Sequence, residues 1–332
     1  MQRPSLLRLS AVALIACSAS DPAESVRATA SPILNGLLDT AHPAVLAVDS
    51  MLPTGEELCS GFLITPDLVV TARHCVAPID NPSSPGCVAV DAAPIATGGV
   101  PLAPSALTVF TDGVLSAQSA PLTVAEVLVT PDSTGASMCG NDLALLRLEK
   151  PLEGIAPISL HVDLAPSVGD GFTAVGYGIA TPGGPDDSGT RRFLDGLSVT
   201  SVGAGSRTSD GEWIADQGPC AGDSGSPALG ADGAAFGVMV RGSKATCKSM
   251  IYERVDVHAA WLRMQAQASA VRLGGAPPAW ASAGWDAGAE GGQAAPPAAT
   301  ASAGGCQLGS SSSPNWGTFG LVALLAFVRR RR

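Results

Sequence analysis

The chain has 332 residues, of which 46% are apolar but only 4% aromatic, with 39 glycines and 26 prolines. That length suffices for one large domain or two small ones, and the Gly and Pro content favours short strands and frequent turns over long helices. The formal net charge is -10, and no basic patch precedes the last four residues, which excludes nucleic acid as an expected partner.

Eight cysteines point to an oxidising compartment, provided the chain is exported. Arg3 and Arg8 precede the apolar run Leu9 to Ala16, and small polar residues follow. This order reads as a secretory signal peptide over 1–16. Leu14-Ile15-Ala16-Cys17 resembles the lipobox of bacterial lipoproteins, which would make Cys17 the lipidated residue; ordinary cleavage near Ala19 is the alternative. Residues 17–32 are then a tether or pro-segment.

The folded part is expected to open at Ile33-Leu34-Asn35-Gly36. His42, before Pro43 at a strand entrance, reads as structural. Strands are predicted over Ala44–Val48, Cys59–Ile64, Leu68–Ala72, Ala106–Phe110, Thr123–Val129, Leu143–Leu148, Pro157–Leu160, Phe172–Gly178, Leu197–Thr200, Trp213–Ala215, Ala235–Val240 and Met250–Arg254, with one more at Cys87–Val90 inside an irregular connection over 77–105. Val255–Gln267 lacks Gly and Pro and carries apolar residues at helical spacing, so it reads as a terminal helix, with His258 a surface or capping residue on it. Many short strands and one late helix describe an all-β sandwich or barrel. No His or Cys cluster at metal spacing stands out, and neither metal nor cofactor is expected.

Three stretches carry candidate chemistry. Cys220-Ala221-Gly222-Asp223-Ser224-Gly225-Ser226-Pro227 places a hydroxyl between two glycines, whose backbone can turn tightly and aim N–H groups at a carbonyl. A serine also needs a base. His74 ends a strand in Thr71-Ala72-Arg73-His74-Cys75, beside a cysteine that could bridge back to Cys59. Asp142, before an apolar run, reads either as a turn or capping aspartate or as a carboxylate placed to orient a histidine.

The order His74, Asp142, Ser224 with these flanks resembles the trypsin/chymotrypsin family of serine peptidases. The resemblance runs from Ile33 to about Gln267 and includes Gly176-Tyr177-Gly178 and the closing Tyr252, Val255 and Trp261-Leu262. It implies two packed six-stranded antiparallel β-barrels, trypsin-like, with a short C-terminal helix. It implies His74 as general base and then acid, Asp142 as its orienting carboxylate, Ser224 as nucleophile, and the N–H groups of Gly222 and Ser224 as the oxyanion hole. It implies disulfides Cys59–Cys75 and Cys220–Cys247, and Cys87–Cys139 is the simplest completion. Substrates would be proteins or peptides.

The pocket departs from the family pattern. Its base falls at Gly218, followed by Pro219, where a trypsin carries Asp. Val240-Arg241-Gly242 stands where Ser-Trp-Gly is common, and Met250 falls where many members have glycine. Small or medium uncharged side chains are therefore expected before the scissile bond. Ile33 and Asp223 match the zymogen-type ion pair of the family, but Pro32 precedes Ile33 and few proteases cut after proline.

From Ala268 the composition shifts to an Ala/Gly/Pro-rich linker over 268–305. Residues 306–332 begin at Cys306, pass an apolar stretch from Trp316 to Val328 and end in four arginines. This layout resembles the MYXO-CTERM sorting signals of myxobacteria, which implies cleavage near Cys306 and surface display, with the basic end cytoplasmic. The expected protein is thus a serine endopeptidase, extracellular or held at a bacterial outer membrane by lipid, by the C-terminal anchor or by both. The alternative is a catalytically silent binding module on the same fold.

Overall fold

A computed structural model describes residues 33, 36–80, 87, 97–131, 133–181, 186–243 and 245–283. The chain divides into two compact units, 1–286 and 287–332, and all described residues lie in the first. The signal, tether, Cys17, Cys306 and apolar tail fall outside them, as does most of the strand expected at Cys87–Val90. Among the described residues no helix is long and apolar enough to cross a membrane.

Among the described residues fifteen strands follow in order. They are β1 (Leu37–Leu38), β2 (Val45–Leu52), β3 (Gly55–Thr65), β4 (Leu68–Thr71), β5 (Ile79–Asp80), β6 (Thr97–Gly98), β7 (Leu107–Phe110), β8 (Leu122–Val129), β9 (Ala144–Leu148), β10 (Gly171–Gly176), β11 (Arg192–Val202), β12 (Glu212–Gln217), β13 (Pro227–Leu229), β14 (Ala235–Ser243) and β15 (Lys248–Arg254). One α-helix, α1 (Ala259–Leu273), follows them. The first barrel closes in the order β2-β3-β4-β9-β8-β7. In the second, β11-β10-β13-β14-β15-β12 closes by β11 pairing back onto β12, and β1 adds to β11. The two six-stranded antiparallel barrels and terminal helix agree with the expected architecture.

The apolar runs explain this packing. Along a strand, successive side chains point to opposite faces. Val45 and Ala47 of β2, Val70 of β4 and Leu145 of β9 join one buried cluster with Val175, Tyr177 and Val238 of the other half. Their neighbours Leu46, Val48, Val69, Ala144 and Leu146 join a second cluster. These strands are apolar on both faces because one face fills the first barrel and the other packs against the second. The second barrel is filled by aromatics, with Trp213 stacked on Tyr252 at 4.1 Å and Phe172 edge-on to both.

Two local expectations need correction. Pro157–Leu160 forms no strand: Leu160 makes an isolated bridge to Ala235, and the Ile158 N–H bonds the Leu63 carbonyl at 2.8 Å. The helix begins at Ala259, later than Val255, and runs past Gln267 to Leu273. It continues because Ser269 and Ala270 are buried against the first barrel, where the Ser269 hydroxyl bonds Thr65 Oγ1 at 3.1 Å and also meets Asp67. Gly274, at φ 66°, ends it in the left-handed cap that glycine favours. The composition-based linker therefore starts with folded chain: the Ala281 carbonyl accepts from Gln267 Nε2 at 2.8 Å, and Trp280 packs against the inter-barrel cluster.

Candidate active site

His74 lies in a single 3-10 turn, Arg73–Cys75, directly after β4. The Cys59–Cys75 disulfide ties that turn back to β3. Asp142 sits just before β9 and is 3% exposed. One of its carboxylate oxygens faces His74 Nδ1 at 2.8 Å, and the other accepts the His74 main-chain N–H at 2.9 Å. His74 is thereby held at two points, one on the ring and one on the backbone, with Nε2 the ring nitrogen that faces away from the carboxylate. Arg73 beside it is fully buried and donates to the Gly99 carbonyl at 2.9 Å. Burial pulls its pKa down, while the Asp142 charge acts the other way.

Ser224 lies in the loop between β12 and β13, behind the Cys220–Cys247 disulfide. The loop is seated on the first barrel. Ser60 of β3 donates its main-chain N–H to the Ser224 carbonyl at 2.8 Å, and its hydroxyl donates to the Gly222 carbonyl at 2.9 Å. The same hydroxyl accepts the Tyr177 N–H at 2.9 Å. Two glycines make the approach possible. Gly225 has φ 89°, and a Cβ there would strike the Ser60 carbonyl; Gly222 has φ 94°, and a Cβ there would lie 2.7 Å from Gly178 Cα. The sequence does not single out Ser60, because its partners lie more than a hundred residues away.

His74, Asp142, Gly222 and Ser224 line one cleft of about 930 Å³, together with Val240, Arg241, Gly242 and Met250. Gly218 and Pro219 are buried and lie off that lining. Met250 is 1% exposed and packs so closely on Gly242 that a Cβ there would collide with its thioether. Arg241 is held where it lines the cleft: its guanidinium grips buried Glu212 through two bonds, at 2.5 and 2.9 Å, and also donates to the Arg207 carbonyl. The third disulfide joins Cys87 to Cys139, three residues before Asp142.

Asp223 is fully buried and accepts N–H groups from Gly178 and Cys220, each at 2.8 Å. Burial pushes its pKa up to about 7, against the pull of those amides and of Arg192. Ile33 is also buried, at 1% exposure; Pro32 lies outside the described residues. His42 pairs with Asp39 at 2.6 Å, and Asp39 also holds Arg191 at 2.8 Å. His258, expected as a surface or capping residue, stands at the N-cap position of α1 without a side-chain cap bond, and its side chain, 10% exposed, bonds Glu253 instead of lying on the surface.

A histidine oriented by a buried carboxylate, in one cleft with a serine on a glycine turn, is an arrangement able to activate a hydroxyl for acyl transfer. Residues 39–262 match the Trypsin family model, and the chain belongs to that family of serine proteases. Among solved structures it is similar to neuropsin, described as a serine protease expressed in the limbic system of mouse brain. The match has a TM-score of 0.51 at 20% identity and covers 69% of this chain and 98% of that one, a likeness that speaks to the fold. A search of curated proteins finds no match.

Proposed function

We propose that the chain is an exported serine endopeptidase. Ser224 attacks a peptide carbonyl, His74 takes its proton and returns it to the leaving amine, and Asp142 holds the imidazole tautomer and stabilises the imidazolium. The N–H groups of Gly222 and Ser224 receive the oxyanion. The observation that carries this reading is the two-point hold of Asp142 on His74 within the cleft that Ser224 also lines. Met250, packed over Gly242, leaves room before the scissile bond for small or medium uncharged side chains. Gly218, the expected pocket base, carries no carboxylate to receive Lys or Arg and lies off the cleft lining. An Ile33 ammonium paired with Asp223 would complete maturation. Cys17 lipidation, the 306–332 sorting segment or both would hold the enzyme at the cell surface.

The second reading, a silent binding module, draws on Val240, which offers Asp142 no hydroxyl, and on Arg241. Fluorophosphonate labelling of the exported form decides between them. Labelling that Ser224→Ala and His74→Ala abolish supports the peptidase. No labelling of protein confirmed to start at Ile33 removes it.

A further inference from the structure

Behind Asp142 lies a buried acid that the catalytic reading does not use. Glu253 of β15 is wholly inaccessible, and its direct cross-strand partner is Glu212 of β12. Two buried carboxylates side by side, on the face of β12 and β15 opposite Trp213 and Tyr252 and near a third on Asp142, are costly unless charge is removed or matched. Glu212 is matched by the paired grip of Arg241. Glu253 has a different partner: its Oε1 lies 2.8 Å from His258 Nε2, in the 3-10 turn that leads into α1. Its Oε2 faces the Asp142 main-chain N–H at 3.4 Å.

We propose that Glu253, as a neutral carboxylic acid clamped by His258, is a positioning residue for Asp142. The two contacts of Glu253, one to His258 and one to the Asp142 amide, carry the positioning role, and a neutral acid satisfies both. A protonated carboxyl has one O–H to donate and one carbonyl oxygen to accept. Donating Oε1–H to a neutral His258 leaves Oε2 to accept the Asp142 amide, so every contact has a donor and an acceptor. The charged groups around it agree. Burial, with Glu212 and Asp142 nearby, holds the Glu253 pKa well above the usual carboxylate range, against the pull of Arg241. Burial likewise lowers the His258 pKa to about 4, against the pull of Asp256. Burial thus favours the neutral form of both partners, with one proton in the hydrogen bond between them. The arrangement compensates for Val240: the Asp142 carboxylate gains no hydroxyl from β14, and its loop is held from behind through its backbone.

The proposal rests on the peptidase reading only for its kinetic readout. A proton on His74 Nδ1 bonded to Asp142 is expected to give a far-downfield NMR resonance, which would report the same geometry without turnover. Glu253→Ala and His258→Leu remove the clamp from either side. Each is expected to lower kcat roughly 10- to 100-fold with KM within about twofold, and to broaden the resonance. Glu253→Gln, a neutral acceptor of similar shape, restores kcat and leaves the His74 titration within about 0.2 pH unit. A Gln variant whose His74 pKa drops by about half a unit or more would reveal a charge on Glu253 and overturn the proposal. So would an unchanged resonance and kcat in His258→Leu, which also serves if Glu253→Ala does not fold. If the wild type shows the resonance pattern but no fluorophosphonate labelling, the peptidase reading fails and the clamp stands.

Discussion

Replacing Ser60 with alanine tests how the nucleophile loop is held. The hydroxyl is fully buried and serves two backbone groups, the Gly222 carbonyl and the Tyr177 N–H, both at 2.9 Å. Alanine keeps the strand and the main-chain bond to Ser224 but leaves both groups without that partner. An unsatisfied buried group costs about 1–3 kcal/mol. The Tyr177 amide bears the full penalty, while Gly222 is half-buried and water can partly replace its partner. Together they predict about 2–4 kcal/mol of destabilisation. For a domain of this size each kcal/mol moves Tm by about 2–4 °C, so a fall of about 4–16 °C is expected at fixed scan rate. Gly222 also supplies a proposed oxyanion donor on the far side of the same residue. Freeing its carbonyl loosens the backbone around Gly222, including the neighbouring peptide that carries the donor N–H, and the fluorophosphonate labelling rate should fall about tenfold, short of the roughly 100-fold seen when such a donor is removed outright. Calorimetry and labelling kinetics on the two proteins give the answer. A Tm within about 1 °C and an equal labelling rate would refute the reasoning, since no buried polar pair could then depend on this hydroxyl.

Asp39 has a pKa lowered to about 2 despite burial, through bonds from His42 and Arg191. A depressed carboxylate stabilises the fold above its unfolded value of 3.8 and loses that contribution as pH falls toward 2, so about 2 kcal/mol should vanish in acid unfolding curves over that window. Asp39→Ala, which strands the buried Arg191 guanidinium, should cost about 3–5 kcal/mol at pH 7 by urea titration. Asp223 runs the opposite way. Raised to about 7, it favours the fold below pH 4 and loses that advantage as pH rises to 7; a chain trimmed to begin at Ile33 should lose this slope if the new ammonium pairs with it. Met250→Ala should open the cleft beside Gly242, raising kcat/KM for peptides with Leu or Phe before the scissile bond relative to Ala by roughly 10- to 200-fold; an unchanged library profile would place the selecting wall elsewhere.

The strands of the barrels are legible in the sequence because two-sided burial writes itself as unbroken apolar runs, such as Val45–Val48 and Leu143–Leu146. The candidate triad is legible because each member sits in a short local pattern. Residues whose roles depend on distant partners are not. Glu253 in a strand looks like an outward charge until Glu212, His258 and Asp142 are seen around it. Arg241 reads as a replaced platform in the pocket, and its pairing with the distant Glu212 is not visible there. The end of the helix does carry a local signal, Leu273-Gly274-Gly275, which the shift in composition at Ala268 obscures.

The short strand β1 precedes the first barrel in sequence yet pairs with β11 of the second, Leu37 opposite Phe193. Asp39, one residue beyond it, bonds Arg191 beside that same strand. The two halves are therefore stitched by chain crossing as well as by packing. Cutting the molecule in the connection after β9 would not yield two autonomous fragments, because the first would carry away an edge and a buried counter-ion that the second requires. Trimming at the amino terminus meets the same limit. Removal up to Gly36 spares the crossing, and removal through Asp39 unpicks it, which sets a boundary for any maturing protease.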